Sequence, residues 1–253
     1  MLNLMRQGEG TGLPKLLIVH GLFGSARNWG GIAKRMSDDR EVVSVDMRNH
    51  GESAWADTHG YSDLAQDLSE VILAEGGSMD VLGHSMGGKA AMMLALTRPE
   101  LVNRLLVADI APVSYPHSQT PLIQAMRALP LDSITTRAAA DAALAQQIDD
   151  PSVRAFLLQS LDLRATPARW RLNLEVLEKE MSRITGWPEV SGLFEGKVLF
   201  LSGADSDYVV PDHRPLIRAL FPNARFAKLP GAGHWLHAEA PRQFEATLRM
   251  WFS

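Results

Sequence analysis

The chain has 253 residues, a formal net charge of −4, 46% hydrophobic residues and no cysteine. That length can bury the core of one large domain, and the apolar share excludes a disordered chain. Mild acidity without a basic cluster excludes nucleic acid and anionic lipid as expected partners, and the lack of cysteine excludes a disulfide framework and a thiol nucleophile.

Met1 to Gly10 lacks the basic-then-apolar layout of a secretion signal, and no apolar run approaches the length of a membrane span. A cytoplasmic location without stable membrane association is therefore expected. Leu2 to Arg6 is the first strand candidate, a short antiparallel edge. Lys15 to Val19, Glu41 to Val45, Met79 to Leu82 and Leu105 to Ala108 follow, then Lys197 to Ser202 and Arg225 to Leu229. Such short, continuously apolar runs suit strands buried on both faces of a parallel sheet. Amphipathic stretches alternate with them. Ser62 is the predicted N-cap of a helix whose core face includes Leu64, Leu68, Val71 and Ile72, with Gly76 closing it. Lys89 to Thr97 reads as another helix. Asp212 is the predicted cap of a stretch ending near Leu220, and Pro241 opens a last helix reaching Trp251.

One segment breaks the alternation. From Pro112 to Val190 the signals are helical and no convincing strand is present. Asp150-Pro151 and Thr166-Pro167 read as N-cap/N1 pairs, Arg137 to Ala143 is a strong helix former, and Trp170, Leu174, Leu177 and Met181 recur at helical spacing. This is too long for an ordinary crossover. The predicted architecture is α/β: a doubly wound, mostly parallel sheet from residues 1–111 and 191–253, with 112–190 inserted as a helical cap.

The chemistry centres on Gly83-His84-Ser85-Met86-Gly87, set between a strand-like and a helix-like run. Gly-x-Ser-x-Gly in that context is a nucleophile elbow, in which a sharp turn lifts the serine hydroxyl above the sheet at a helix N-terminus. The hydroxyl needs a base. His234 lies in the Pro/Gly-rich loop after the last strand and has the best order and context of the eight histidines. His237 is the runner-up, His84 a packed support, and His59, His117 and His213 are expected to be solvated. The oxyanion of an acyl-transfer intermediate needs two donors. The backbone N–H groups of Met86 and of Leu22, in His20-Gly21-Leu22-Phe23-Gly24, are the expected pair. Asp46, Arg48 and His50 are read as a network bracing their loop. There is no Gly-rich phosphate loop and no metal-ligand spacing, so no cofactor and no metal are expected.

The stretches around His20, Asp46 to Ser53, Ser85 and His234 together resemble the α/β-hydrolase fold superfamily. Asp46-Met-Arg-Asn-His-Gly-Glu-Ser53 and Asp109-Ile-Ala-Pro-Val113 resemble its small bacterial carboxylesterases with a helical cap. The resemblance implies hydrolysis of small acyl esters without a cofactor. A serine at the elbow argues against haloalkane dehalogenases and epoxide hydrolases, which carry Asp there. The superfamily usually places its acid after the strand that here is Lys197 to Ser202, at a position occupied by Ser206 between Asp205 and Asp207. Two candidates follow. Asp109 ends an apolar strand, where a buried carboxylate needs a specific partner, and is the position the resembling esterases imply. Asp207 precedes Tyr-Val-Val-Pro, the usual surroundings of the acid shifted by one residue.

The expected enzyme is thus a cytoplasmic serine carboxylesterase with Ser85, His234 and Asp109 (or Asp207) as its triad. Leu22 and Met86 would stabilise the oxyanion, with Phe23, Asn28, Trp29, Met86 and Trp235 around a small-molecule ester. A C–C bond hydrolase or an acyltransferase would use much the same machinery, and a non-catalytic receptor on this fold is the rival of a different class. The sequence leaves substrate and oligomeric state open.

Overall fold

Leu16-Leu17-Ile18-Val19 has no polar side chain to offer water, and in the computed structural model, which describes residues 1–10 and 12–253, all four are fully buried. They form the second of seven strands in the main sheet. In chain order the elements are β1 (Asn3–Gln7), β2 (Leu16–Val19), α1 (Gly30–Met36), β3 (Val42–Asp46), α2 (Tyr61–Ala74), β4 (Met79–His84), α3 (Met86–Thr97) and β5 (Val102–Ala108). A largely helical stretch follows: α4 (Thr120–Arg127), α5 (Arg137–Leu144), α6 (Pro151–Leu157), β6 (Leu161–Asp162), β7 (Arg169–Trp170), α7 (Leu174–Lys179) and α8 (Met181–Thr185). The chain then returns through β8 (Lys197–Gly203), α9 (Arg214–Leu220), β9 (Ala224–Leu229), α10 (Leu236–Glu239) and α11 (Pro241–Phe252).

The sheet order is β1-β3-β2-β4-β5-β8-β9. All neighbours run parallel except β1, which pairs antiparallel with β3, so the expected short antiparallel edge is present. Ridges of apolar side chains cover both faces. Trp29, Met36, Phe244 and Phe252 bury one face under α1 and α11; Leu64, Leu68, Met92 and Leu96 bury the other under α2 and α3. Because β5 and β8 are hydrogen-bonded neighbours, the loops leaving their carboxyl ends open side by side. The long helical insertion leaves and re-enters the sheet between those two strands.

The closed bottom of the sheet is tied by charge. Asp80, fully buried in β4, accepts from Arg104 at 2.6 and 2.9 Å and from Arg40 at 3.1 Å. Both guanidiniums also donate to the Phe252 carbonyl, anchoring the end of α11. Arg40 is itself 1% exposed. Asp80→Ala would strip that buried cation, and Arg104 beside it, of their shared buried carboxylate, leaving Arg40 only its ion pair with Asp39, and should cost about 3–5 kcal/mol of stability. Urea unfolding checks this; a loss under about 1 kcal/mol, as at a surface pair, would contradict it.

Several local expectations need correction. Helix α2 begins at Tyr61 with Gly60 as N-cap, and Ser62 is its exposed second residue; the buried Tyr61, whose hydroxyl donates to the Ile184 carbonyl at 2.5 Å, sets the start. Asp212 lies inside a short 3₁₀ turn (Pro211–His213), and α9 starts two residues later. Thr166-Pro167 caps no helix. It is a cis pair in the turn joining β6 and β7, a two-stranded ribbon in a segment read as strandless. Trp170 belongs to β7 and Met181 to α8, so the spacing with Leu174 and Leu177 spans three elements that share a core rather than one helix. Asp150-Pro151 does open α6, with the Asp150 carboxylate accepting the Ser152 N–H at 2.7 Å.

Candidate active site

Ser85 stands between the last residue of β4 and the first of α3, at φ 52° and ψ −121°. Left-handed backbone is costly for a residue with a Cβ and persists only where its surroundings enforce it. Here the enforcing contacts are the close approaches that glycine allows. A Cβ on Gly83 would run into the Gly87 carbonyl, and one on Gly87 into the carbonyls of Val19 and His20. The turn therefore closes only with glycine on both sides of Ser85.

His234 follows β9 and points its ring at the turn. Its Nε2 is 3.0 Å from Ser85 Oγ and its Nδ1 is 2.7 Å from Asp109 Oδ2. Asp109 is fully buried just past β5. Its Oδ1 accepts the Gly203 N–H at 3.1 Å, and its Oδ2 also accepts the Ser206 hydroxyl at 2.5 Å. Residue 206, where the superfamily usually places its acid, thus hydrogen-bonds to a carboxylate at the end of the neighbouring strand. Asp109 lies at φ 51°, a second strained position in contact with the same imidazole. Asp207 is exposed, and no contact joins it to His234 among the described residues. Tyr208 instead lies flat on the His234 ring, with centroids 4.0 Å apart.

The loop after β2 faces Ser85 from the other side. Gly21 to Gly24 form a tight turn closed by the Gly24 N–H on the Gly21 carbonyl at 3.0 Å. Its third residue, Phe23, sits at φ 64°. The Phe23 peptide is held at both ends: its N–H donates to His50 Nε2 at 3.1 Å, and its carbonyl accepts the Ser160 hydroxyl at 2.8 Å. Leu22 N–H makes no hydrogen bond among the described residues, and Met86 N–H, first in α3, has no acceptor within its helix. His20 Nε2 accepts the Met47 N–H while its Nδ1 donates to the Gly21 carbonyl; His50 Nδ1 donates to the Arg48 carbonyl. Each of these rings must accept on one nitrogen and donate from the other, which only the neutral form can do. Burial pushes both below the ordinary histidine value in keeping with that.

Asp46, Arg48 and His50 brace loops, as expected, but the only bond among the three is the one from His50 to the Arg48 carbonyl, among the described residues. Asp46 accepts from Ala26, Glu52 and Asn3, and Arg48 pairs with Asp67 at 2.6 Å. His84 donates from Nε2 to the His234 carbonyl at 2.8 Å, supporting the loop that carries that ring. His237 sits on α10 and stacks on Trp29 at 4.1 Å. His117 is exposed, but the expectation of solvated histidines fails for the other two: His213 is half-buried and His59 is 1% exposed. Burial lowers His59 to about 3, and its Nε2 lies 3.2 Å from the Met86 sulfur.

A cavity of about 300 Å³ opens onto Ser85 and His234. Phe23, Asn28, Trp29, Met86 and Trp235 all line it. The helical insertion contributes Leu122, Val153, Phe156 and Ile184, and Phe156 packs on Trp235 at 5.7 Å between centroids. Sequence reasoning missed Tyr115, Tyr208 and Lys89 on the walls and Ser160 behind the Phe23 turn. Only Tyr208 lies in a motif that the sequence marked, Tyr208-Val-Val-Pro211, and folding alone brings all four here.

A parallel sheet with a serine at the strand-to-helix turn, a histidine against it and a cavity above defines a hydrolase. The family described as alpha/beta hydrolase fold matches residues 14–241, and the chain belongs to it. It is 40% identical to the sn-1-specific diacylglycerol lipase ABHD11 of Mus musculus over 96% of this chain and 81% of that one. It is 36% identical to Esterase YbfF of Escherichia coli over 92% and 90% of the two chains. Among solved structures, a marine microorganism esterase superposes with a TM-score of 0.94 at 36% identity, covering 99% of this chain and 98% of that one. Among the described residues, no helix is long and apolar enough to cross a membrane.

Proposed function

We propose that the protein is a cytoplasmic serine carboxylesterase acting on small acyl esters, with Ser85 as nucleophile, His234 as general base and Asp109 as the acid. The observation that carries this reading is the unbroken hydrogen-bonded line from Ser85 Oγ through His234 to Asp109. His234 Nε2 takes the Ser85 proton as Oγ attacks the ester carbonyl, and Asp109 stabilises the imidazolium through Nδ1. The Leu22 and Met86 N–H groups receive the oxyanion. His234 then protonates the leaving alcohol, and water releases the acid by the same route. Relatives named esterase and lipase support ester substrates over the other chemistries open to this machinery.

Residues 112–190 act in this reading as a cap over a core of 1–111 and 191–253. Its side chains form the outer cavity wall, so they should select the acyl chain. A cavity of about 300 Å³ suits short to medium chains. Rates across a 4-nitrophenyl ester series from two to sixteen carbons (~C2–C16) test this: kcat/KM should peak below about ten carbons and shift toward longer chains in Phe156→Ala. A profile unchanged by that substitution would remove the cap from acyl selection.

The cap also reaches the chemistry. Ser160 steadies the Phe23 carbonyl and, through that turn, the Leu22 donor. Ser160→Ala should lower kcat about five- to tenfold with KM little changed, the size of one lost buried hydrogen bond acting on the transition state. Ser160→Thr should restore most of it. An effect confined to KM would make Ser160 a binding residue instead.

A further inference from the structure

Among the described residues, Lys89 is the one buried ammonium on the cavity wall. It is 1% exposed, and it sits one helical turn from Ser85, whose carbonyl accepts its backbone N–H at 3.1 Å. Its Nζ donates to the Thr185 and Gly186 carbonyls at 3.0 and 2.6 Å. The rings of Tyr115 and Tyr61 flank it at 4.8 and 5.6 Å. Two of three N–H donors are thereby used, and no carboxylate pairs with the ammonium among the described residues. Among the described residues the other buried cation, Arg40, has Asp80, and the half-buried Arg48 has Asp67. A lone buried charge is costly, and a chain that keeps one beside its substrate cavity gains from a ligand that supplies the counterion. Burial alone lowers Lys89 to about 7, in keeping with a missing anionic partner.

We propose that the cavity is built for esters whose acyl group ends in a carboxylate, held by Lys89 Nζ while Ser85 attacks the other end. This rests on the serine-esterase reading and specifies its substrate class. A cavity of about 300 Å³ lined by both Ser85 and Lys89 suits half-esters of short dicarboxylic acids. No new covalent step is involved: water cleaves the ester bond, giving the alcohol and the free dicarboxylate.

The test compares monoethyl glutarate with ethyl pentanoate, a neutral ester of equal acyl length. Wild type should favour the half-ester by about 10–100-fold in kcat/KM, the range of a buried charge-assisted hydrogen bond. Lys89→Met, similar in length and uncharged, should collapse that ratio to one or below. Free glutarate should also inhibit ethyl pentanoate hydrolysis competitively in wild type, which decides the matter should the variant fail to fold. A wild-type preference for ethyl pentanoate, or equal loss of both rates in Lys89→Met, overturns the inference. Fluorophosphonate labelling of Ser85 separates the two levels. Labelling without half-ester preference sinks only the carboxylate site, whereas no labelling and no ester hydrolysis sink the esterase reading with it.

Discussion

Ser85→Ala should lower ester turnover by about 10³-fold or more, because attack and the acyl intermediate disappear together. The residual rate would come from the oxyanion donors and from binding alone. A fluorophosphonate should modify wild type at Ser85, detected by mass spectrometry of the tryptic peptide, and leave the variant untouched. The variant should fold as well as wild type, since alanine keeps the Cβ and tolerates the enforced left-handed turn no worse than serine does. Hydrolysis at the wild-type rate by Ser85→Ala would remove the mechanism.

The second large effect is expected at the acid. Asp109→Asn preserves the shape but presents an amide to His234 Nδ1, which favours the wrong imidazole tautomer and cannot stabilise the imidazolium. A loss of about 10²–10⁴ in kcat follows. Asp207→Asn should change kcat less than about twofold, because an exposed carboxylate without contact to the ring gives up little. A silent Asp109→Asn beside a crippled Asp207→Asn would show that the wrong carboxylate had been chosen.

What could be read from the sequence was whatever local chemistry dictates. Continuous apolar runs such as Leu16 to Val19 announce strands buried on both faces, and every main-sheet strand was found within a few residues. The glycines around Ser85 mark a turn that no other residue could make, so the elbow was legible before folding. Boundaries were less so, since Tyr61 starts its helix by reaching Ile184, more than a hundred residues away. His59 looked solvated because its neighbours Asp57, Thr58 and Gly60 are polar or small, but the fold packs it under Met86. Ser160 and Lys89 carried no signal at all. Their partners, Phe23 and the end of α8, meet them only in the finished fold. The acid lay between these extremes. Two strand ends were credible, and side-by-side pairing of β5 and β8 makes both reachable; burial and hydrogen bonds favour one.

That pairing has a consequence for how such enzymes diverge. Ser206 Oγ and Asp109 Oδ2 are 2.5 Å apart, so carboxylates at the two positions would occupy almost the same point beside His234. A lineage could therefore hand the acid from one strand to the next through two single substitutions. The intermediate bearing Asp at both sites would hold one proton between them, as like charges that close do not both ionise. Relocation of a carboxylate then needs no change of fold, only a serine waiting where the carboxylate is to land.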